Sequence, residues 1–194
     1  METKKRLMKN KVGIIFMGAG TLLIMSAFIL LYWNQKEAWQ AKNQSKAILS
    51  KMVEYIEDIS ITDFTEKVVE IEGYSYMGYL SIPALGLELP VMSGWDYSRM
   101  KIAPCRYSGT VEMKNLVIAA HNYPGHFGRI SELTEDDNIC FTGANGVISS
   151  YRVVSVDILD EVAVEEMIAG EYDLTLFTCT YSGQSRVTVR CEKE

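Results

Sequence analysis

Residues 172–191, YDLTLFTCTYSGQSRVTVRC, contain two strand-like segments. These segments, YDLTLFTC and RVTVRC, alternate apolar with polar residues and are rich in β-branched and aromatic types, which is typical of β-strands. The turn-forming segment between them, residues 181–185, predicts a β-hairpin. In such a hairpin Cys179 lies beside the turn and Cys191 lies about 16 Å further along. A disulfide needs Cα atoms within about 7 Å, so these two cysteines cannot pair.

Side chains alternate between the two faces of a strand, which sorts the second half of the hairpin. One face carries Val187, Val189 and Cys191, and the other carries Arg186, Thr188 and Arg190. The valine face is expected in the core, with Cys191 as a buried structural thiol. Arg186 lies across the turn from Cys179, where its guanidinium would stabilise a thiolate or a developing oxyanion. We therefore interpret Cys179 as a candidate nucleophile. Arg190 lies on the face opposite the valines, and we expect it to be solvated or ion-paired.

Four more stretches upstream have the same strand-like texture. They are MGYLSI (77–82), LELPVM (87–92), NLVIAA (115–120) and SSYRVVSVDIL (149–159). Short helices are expected near residues 128–133 and 162–168. Many short strands with little helix predict a mainly β domain over residues 74–194. We expect a closed or nearly closed β-barrel, because closure removes exposed strand edges.

A long uncharged segment, VGIIFMGAGTLLIMSAFILLYW, occupies residues 12–33. As a helix of about 1.5 Å per residue it would reach roughly 33 Å, enough to cross a bilayer. A cleaved secretory signal would have a shorter apolar core, whereas this run continues to an interfacial Tyr32-Trp33 pair, so an uncleaved anchor is favoured. Residues 1–11 carry a net charge of +4, which predicts a cytoplasmic basic tail and an extracellular position for everything after the span.

Between the span and the barrel, residues 34–73 predict a helical stalk and linker. Apolar residues recur at helical spacing up to about residue 60: Ile48, Met52, Tyr55, Ile56 and Ile59. This amphipathic helix is expected to pack one stripe on the domain. Residues 61–73 show no helical period and predict an extended linker that ends at Gly73.

Charge and cysteine content exclude several classes of function. Beyond residue 11 the chain carries 14 basic and 24 acidic side chains, a net charge of −10, which opposes nucleic-acid binding. The four cysteines form no CxxC pair and the chain has only two histidines, so neither a metal nor another cofactor is predicted. Outside the cytoplasm the default interpretation of four cysteines is two disulfides.

A cysteine nucleophile usually needs a proton-transfer partner, most often histidine. His121 closes the strand NLVIAAH at a strand end, where functional side chains are commonly displayed, and His126 follows in a loop. We expect His121 to be the partner and His126 to have a loop role. The order histidine, cysteine, arginine argues against papain-like peptidases, in which the cysteine comes first.

These segments resemble the sortases, membrane-anchored cysteine transpeptidases of Gram-positive bacterial surfaces. TLFTC (175–179) matches the TLxTC signature, NLVIAAH (115–121) resembles the strand that ends in the catalytic histidine, and RVTVR (186–190) the strand that begins with the arginine. The similarity runs from about residue 78 to residue 190. It implies a sortase-like barrel with Cys179 as nucleophile, His121 as general acid and base, Arg186 as oxyanion stabiliser and Thr178 in substrate binding.

The resemblance also implies partners and location. The substrates would be secreted proteins with a C-terminal sorting signal, and a cell-wall precursor or another amine would accept the acyl group. The enzyme would sit in the cell membrane through residues 12–33. Ala120 replaces a frequent glycine, Thr180 replaces a frequent aspartate, and the loop before Arg186 is short. The His121-Asn122 pair and the single anchor look more like class B or class D members, without fixing a class.

Two other classes of function fit the same sequence. A membrane-tethered binding or sensory β-barrel module would need neither the thiol nor the histidine. A purely hydrolytic cysteine peptidase would use the same three side chains but transfer the acyl group to water.

Overall fold

The N-terminal helix is the longest element of the computed structural model, which describes residues 2–59 and 65–194, with side chains from residue 13 onward. Helix α1 runs Glu2–Glu57 without a break, so the two helical segments predicted on either side of residue 33 form one continuous helix. Its apolar part is long enough to cross a membrane. The side chains of the predicted basic tail lie outside the described residues. The chain divides into two compact units, residues 1–39 and residues 40–194.

The second unit contains nine described strands, two short α-helices and two 3-10 helices. The strands are β1 Val69–Ile71, β2 Tyr74–Ile82, β3 Leu87–Met92, β4 Cys105–Ser108, β5 Leu116–Ala119, β6 Asn138–Gly143, β7 Ile148–Asp160, β8 Leu174–Cys179 and β9 Ser185–Lys193. The helices are α2 Tyr97–Met100 and α3 Val164–Ile168, with 3-10 turns at Pro83–Leu85 and Ile130–Glu132. All six predicted strands and both predicted short helices are confirmed. Strands β1, β4 and β6 and helix α2 were not predicted.

The strands close into a barrel. Their order is β1-β2-β3-β4-β5-β8-β9-β7-β6, and β6 pairs back onto β2, so eight strands form the ring and β1 extends it beside β2. The closing β2–β6 contact depends on Gly78, whose φ is +153°. A Cβ atom there would lie 2.2 Å from the Thr142 carbonyl oxygen. Only glycine permits so close an approach of the two backbones.

Two apolar layers hold the barrel together. The interior is filled by inward-facing residues of every barrel strand except β4, including Leu80, Ile118 and Leu176. A second cluster lies on the outer face of β2 to β5, where Ile48 and Met52 of α1 are completely buried. The predicted apolar stripe of the helix therefore packs on the domain as expected, except that Tyr55 is exposed.

The predicted linker is partly a strand. Residues 60–64 lie outside the described residues, and β1 then pairs antiparallel with β2 from Val69 opposite Tyr76 to Ile71 opposite Tyr74. Gly73 lies in the tight turn between these two strands. Residues 69–71 of the predicted linker therefore belong to the sheet of the barrel domain.

The prediction that Arg190 is solvated or ion-paired is wrong. Its guanidinium is buried and donates to the carbonyls of Met167 and Glu166 at 3.2 and 2.8 Å and to Thr175 Oγ1 at 3.0 Å. It also lies 5.2 Å from the centre of the Tyr172 ring. Helix α3 covers this outer face of β8 and β9, which strand alternation alone does not reveal.

Candidate active site

The β8–β9 hairpin places Cys179 and Arg186 side by side. They are directly opposite each other in the antiparallel register, and Leu174 lies opposite Cys191 at the other end. Facing residues of an antiparallel pair project to the same side with Cβ atoms about 4.5 to 5.5 Å apart. The turn is closed by a 2.9 Å hydrogen bond from Thr180 N to the Ser185 carbonyl. The expected hairpin and the separation of Cys179 from Cys191 are both confirmed.

His121 reaches the same place from a neighbouring strand. Strands β5 and β8 are parallel, with Ala119 opposite Phe177, and Ala120 N donates to the Phe177 carbonyl at 3.2 Å. His121 and Cys179 each follow this pair by two residues. They therefore lie at the carboxyl ends of adjacent strands and on the same outer face.

One cleft on the outer face of the barrel contains all four residues singled out from the sequence. His121, Thr178, Cys179 and Arg186 line it together. Its remaining walls are aromatic on one side, apolar at α3 and acidic at the end of β7: Trp95, Tyr97, Tyr107, Phe177, Val164, Met167, Asp160 and Glu161. The structure thus brings together side chains that lie up to 65 residues apart in the sequence.

The guanidinium of Arg186 is held at the rim by the turn. Its Nη1 donates to the carbonyls of Gly183 and Ser185 at 2.9 and 3.1 Å. These bonds fix the position of the cation while a guanidinium retains further donors on Nε and Nη2. The arrangement suits stabilisation of negative charge beside Cys179.

Thr178 lies at the base of the cleft and is almost completely buried. Its Oγ1 donates to the Ala120 carbonyl at 2.8 Å, so the hydroxyl links the residues that precede Cys179 and His121. This bond ties the ends of β8 and β5 together. This hydrogen bond indicates a structural role for the Thr178 hydroxyl, in addition to the substrate contact predicted from the sequence.

The four cysteines are all free thiols, so the default expectation of two disulfides is wrong. Cys179 is exposed in the cleft, whereas Cys105 and Cys191 are completely buried. Burial raises the pKa of both buried thiols to about 12, which keeps them protonated and unreactive. The expected role of Cys191 as a buried core thiol is confirmed.

Sequence reasoning missed Tyr123, which stacks on the ring of His121. The two ring centroids are 4.9 Å apart and the planes are inclined by 27°. His126 lies behind Tyr123 and is completely buried, outside the cleft. The sequence feature that could have indicated this contact is the aromatic residue two positions after His121.

The comparisons with known proteins agree on one family. The sortase domain model matches residues 80–194, well over half of the chain. No curated protein sequence matches this chain. Among solved structures, a sortase D5 transpeptidase from Clostridium perfringens is 16% identical, with a TM-score of 0.63 over 78% of this chain and 99% of that one.

Two further structures show the same barrel. Sortase C from Clostridium perfringens, solved with the C-terminal cell wall sorting motif, is 20% identical, with a TM-score of 0.61 over 77% of this chain and 99% of that chain. A lid mutant of sortase A from Corynebacterium diphtheriae is 18% identical, with a TM-score of 0.54 over 77% and 95%. At these identities the structural likeness shows the fold alone. Together with the domain match over residues 80–194, it establishes that this chain belongs to the sortase family.

Proposed function

We propose that this protein is a sortase-type transpeptidase that uses Cys179 as its nucleophile. The observation that carries the proposal is the convergence of Cys179, His121 and Arg186 on one cleft from three different strands. A thiol, an imidazole and a guanidinium around one exposed cleft supply the nucleophile, the proton carrier and the oxyanion partner that acyl transfer needs.

In the first half-reaction the Cys179 thiolate attacks a backbone carbonyl of the sorting signal. The C=O π electrons move to oxygen, and the Arg186 guanidinium stabilises the resulting oxyanion. When the oxyanion collapses, the C–N bond breaks and protonated His121 gives its proton to the departing amine. The product is a thioester on Cys179 and a free C-terminal fragment.

In the second half-reaction an amine attacks the thioester carbon. Neutral His121 accepts a proton from the amine as the new C–N bond forms, and collapse of the second oxyanion breaks the C–S bond. The Cys179 thiolate and the imidazolium are thereby restored. Aminolysis competes with hydrolysis when the cleft orients the amine and limits access of water. The aromatic wall and the apolar wall at α3 are the parts of the cleft that would do so.

The proposed partners and location follow from the family and from helix α1. The substrate would be a secreted protein with a C-terminal sorting signal, and the acceptor would be a cell-wall precursor amine or another amine. Residues 12–33 would anchor the enzyme in the cell membrane of a Gram-positive bacterium. Residues 1–11 would form a basic tail in the cytoplasm, and residues 34–73 a stalk that carries the extracellular catalytic domain.

The full-length protein in detergent micelles tests this function directly. It is incubated with peptides that carry C-terminal sorting motifs of secreted proteins, with and without an added primary amine, and the products are identified by mass spectrometry. Wild type is expected to give the amide product when amine is present. Cys179→Ala should abolish cleavage, and Arg186→Ala should lower kcat/KM about a hundredfold or more.

Cys140→Ala is the matched control for the loss of a thiol, because Cys140 lies on β6 outside the cleft and its removal should leave the rate unchanged. Cleavage without amide formation at any amine concentration would identify a hydrolytic peptidase instead. Absence of any cleavage, with Cys179→Ala indistinguishable from wild type, would favour a binding or sensory module.

A further inference from the structure

The candidate general acid and base is stacked against an aromatic ring from its own loop. Tyr123 is 8% exposed, and its ring faces the His121 imidazole at a centroid distance of 4.9 Å with nearly parallel planes. One face of the imidazole is therefore in contact with the Tyr123 ring. An imidazolium over the electron-rich face of a phenol ring is stabilised relative to neutral imidazole.

The loop that carries the stack is closed by its own backbone. Phe127 N donates to the His121 carbonyl at 3.2 Å, and the Tyr123 carbonyl accepts from His126 N and Gly128 N at 2.9 and 3.0 Å. A Cβ atom at Gly128 would lie 2.5 Å from the Asn122 carbonyl oxygen, so the turn requires glycine there. These bonds hold Tyr123 in one place relative to His121.

A second ring supports Tyr123 from inside the protein. The His126 ring lies 5.6 Å from the Tyr123 ring, inclined by 47°, and is completely buried with the carbonyls of Ala41 and Ile102 nearby. Burial, and then the charge of His121, lowers the pKa of His126 to about 4. His126 is therefore neutral at pH 7 and supports the stack without placing a second positive charge behind it.

We propose that Tyr123 is a positioning residue for His121, whose ring fixes the plane of the imidazole at the cleft and stabilises its protonated form. The inference rests on the proposed function, because it assigns Tyr123 to the step in which His121 carries the proton. The ring is the operative part, so phenylalanine should replace tyrosine and an aliphatic residue should not.

Other titratable groups line the cleft with His121 or lie behind Tyr123, and they are the same in wild type and in both Tyr123 variants. They are Cys179 at the end of β8, Arg186 at the start of β9, Asp160 and Glu161 at the end of β7, Tyr97 and Tyr107 on the aromatic wall, and His126 in the loop. Wild type, Tyr123→Phe and Tyr123→Leu differ only at position 123, so a difference among them in the titration of His121 reports on the stacked ring.

The chain offers a clean readout because it contains only two histidines. Histidine labelled with ¹³C at Cε1 gives two ring signals in the full-length protein in detergent micelles, and His126→Gln assigns them. The titration midpoint of His121 is compared in wild type, Tyr123→Phe and Tyr123→Leu. Phe141→Leu is the control, since Phe141 is also a buried aromatic residue but lies in the barrel interior.

We expect Tyr123→Leu to lower the His121 midpoint by about half a pH unit or more, while Tyr123→Phe and Phe141→Leu stay within about 0.2 unit of wild type. In the peptide assay Tyr123→Leu should lower kcat about tenfold or more with little change in KM, and phenylalanine should restore it. The inference is overturned if the His121 midpoint in Tyr123→Leu equals that of wild type. It is also overturned if the midpoint in Tyr123→Phe falls as far as in Tyr123→Leu. Because the titration needs no turnover, this failure is distinguishable from a failure of the transpeptidase proposal, in which the wild type itself forms no product.

Discussion

Thr178 Oγ1 donates a 2.8 Å hydrogen bond to the carbonyl of Ala120, and so joins the two residues that immediately precede Cys179 and His121. The bond crosses between parallel strands β8 and β5 at the point where both strands deliver side chains to the cleft. Cys179 and His121, the proposed nucleophile and proton carrier, are therefore held in register by a side chain as well as by the sheet.

Removal of this hydroxyl should affect turnover more than substrate affinity. Thr178→Val keeps the shape but leaves the buried Ala120 carbonyl without its donor, which costs about 1 to 3 kcal/mol in the free energy of unfolding. We expect kcat to fall and KM to stay near wild type, whereas Thr178→Ser retains both. A rise in KM with unchanged kcat would instead assign the hydroxyl to substrate binding.

The cysteines should differ sharply in reactivity. Cys179 is exposed, while Cys105 and Cys191 are buried and their pKa values are raised to about 12 by burial. Iodoacetamide at pH 7 should therefore modify Cys179 first, and modify Cys105 and Cys191 at least about a hundredfold more slowly, because they need local unfolding. Peptide mapping by mass spectrometry measures this order. Fast modification that persists in Cys179→Ala at a buried cysteine would contradict it.

Stability should fall in mild acid because of His126. Its pKa is lowered from 6.5 to about 4 in the folded state, so below pH 6.5 the unfolded chain binds the proton more readily than the native protein. This contribution to stability is complete above pH 6.5, is lost progressively down to about pH 4, and amounts to about 3 kcal/mol. Urea unfolding at several pH values should show a shallower pH dependence in His126→Gln than in wild type. Equal slopes in the two proteins would refute the assignment.

Arg190 should matter for stability despite its position on the arginine face of β9. Arg190→Met removes the donor to the carbonyls of Met167 and Glu166 and to Thr175 Oγ1, and we expect a loss of about 2 to 4 kcal/mol in the free energy of unfolding. Arg152→Met is the matched control, because Arg152 forms exposed ion pairs with Asp136 and Glu192 and its removal should change the free energy of unfolding little. If both substitutions lowered the free energy of unfolding equally, the buried hydrogen bonds of Arg190 would not contribute more to stability than an exposed ion pair does.

Much of the barrel could be predicted because its main strands carry a clear period of two. Strands β7 and β9 are long and alternate, and β5 is a pure apolar run, whereas β1 and β4 are short and β6 contains only two large apolar residues, Ile139 and Phe141. Short strands owe their pairing to neighbours that are distant in sequence, and Met92 opposite Cys105 is such a contact. Closure through Gly78 is likewise a property of the folded chain.

Part of the candidate site could likewise be predicted from the sequence, and part could not. Cys179 and Arg186 are close in sequence, so hairpin geometry alone predicted their proximity, and a strand end singled out His121. The covering of Arg190 by α3 and the stacking of Tyr123 on His121 depend on how loops return to the barrel surface. No local period encodes such contacts.

The thioester that we propose between Cys179 and the sorting signal can be detected by mass spectrometry of the enzyme. Full-length enzyme is mixed with a cleavable sorting-motif peptide without amine, quenched in acid within seconds and digested to map the adduct. An acyl adduct on Cys179 that disappears when a primary amine is added, as the amide product forms, is the predicted result. Peptide cleavage with no adduct on Cys179, or cleavage that continues in Cys179→Ala, would show that Cys179 is not the nucleophile.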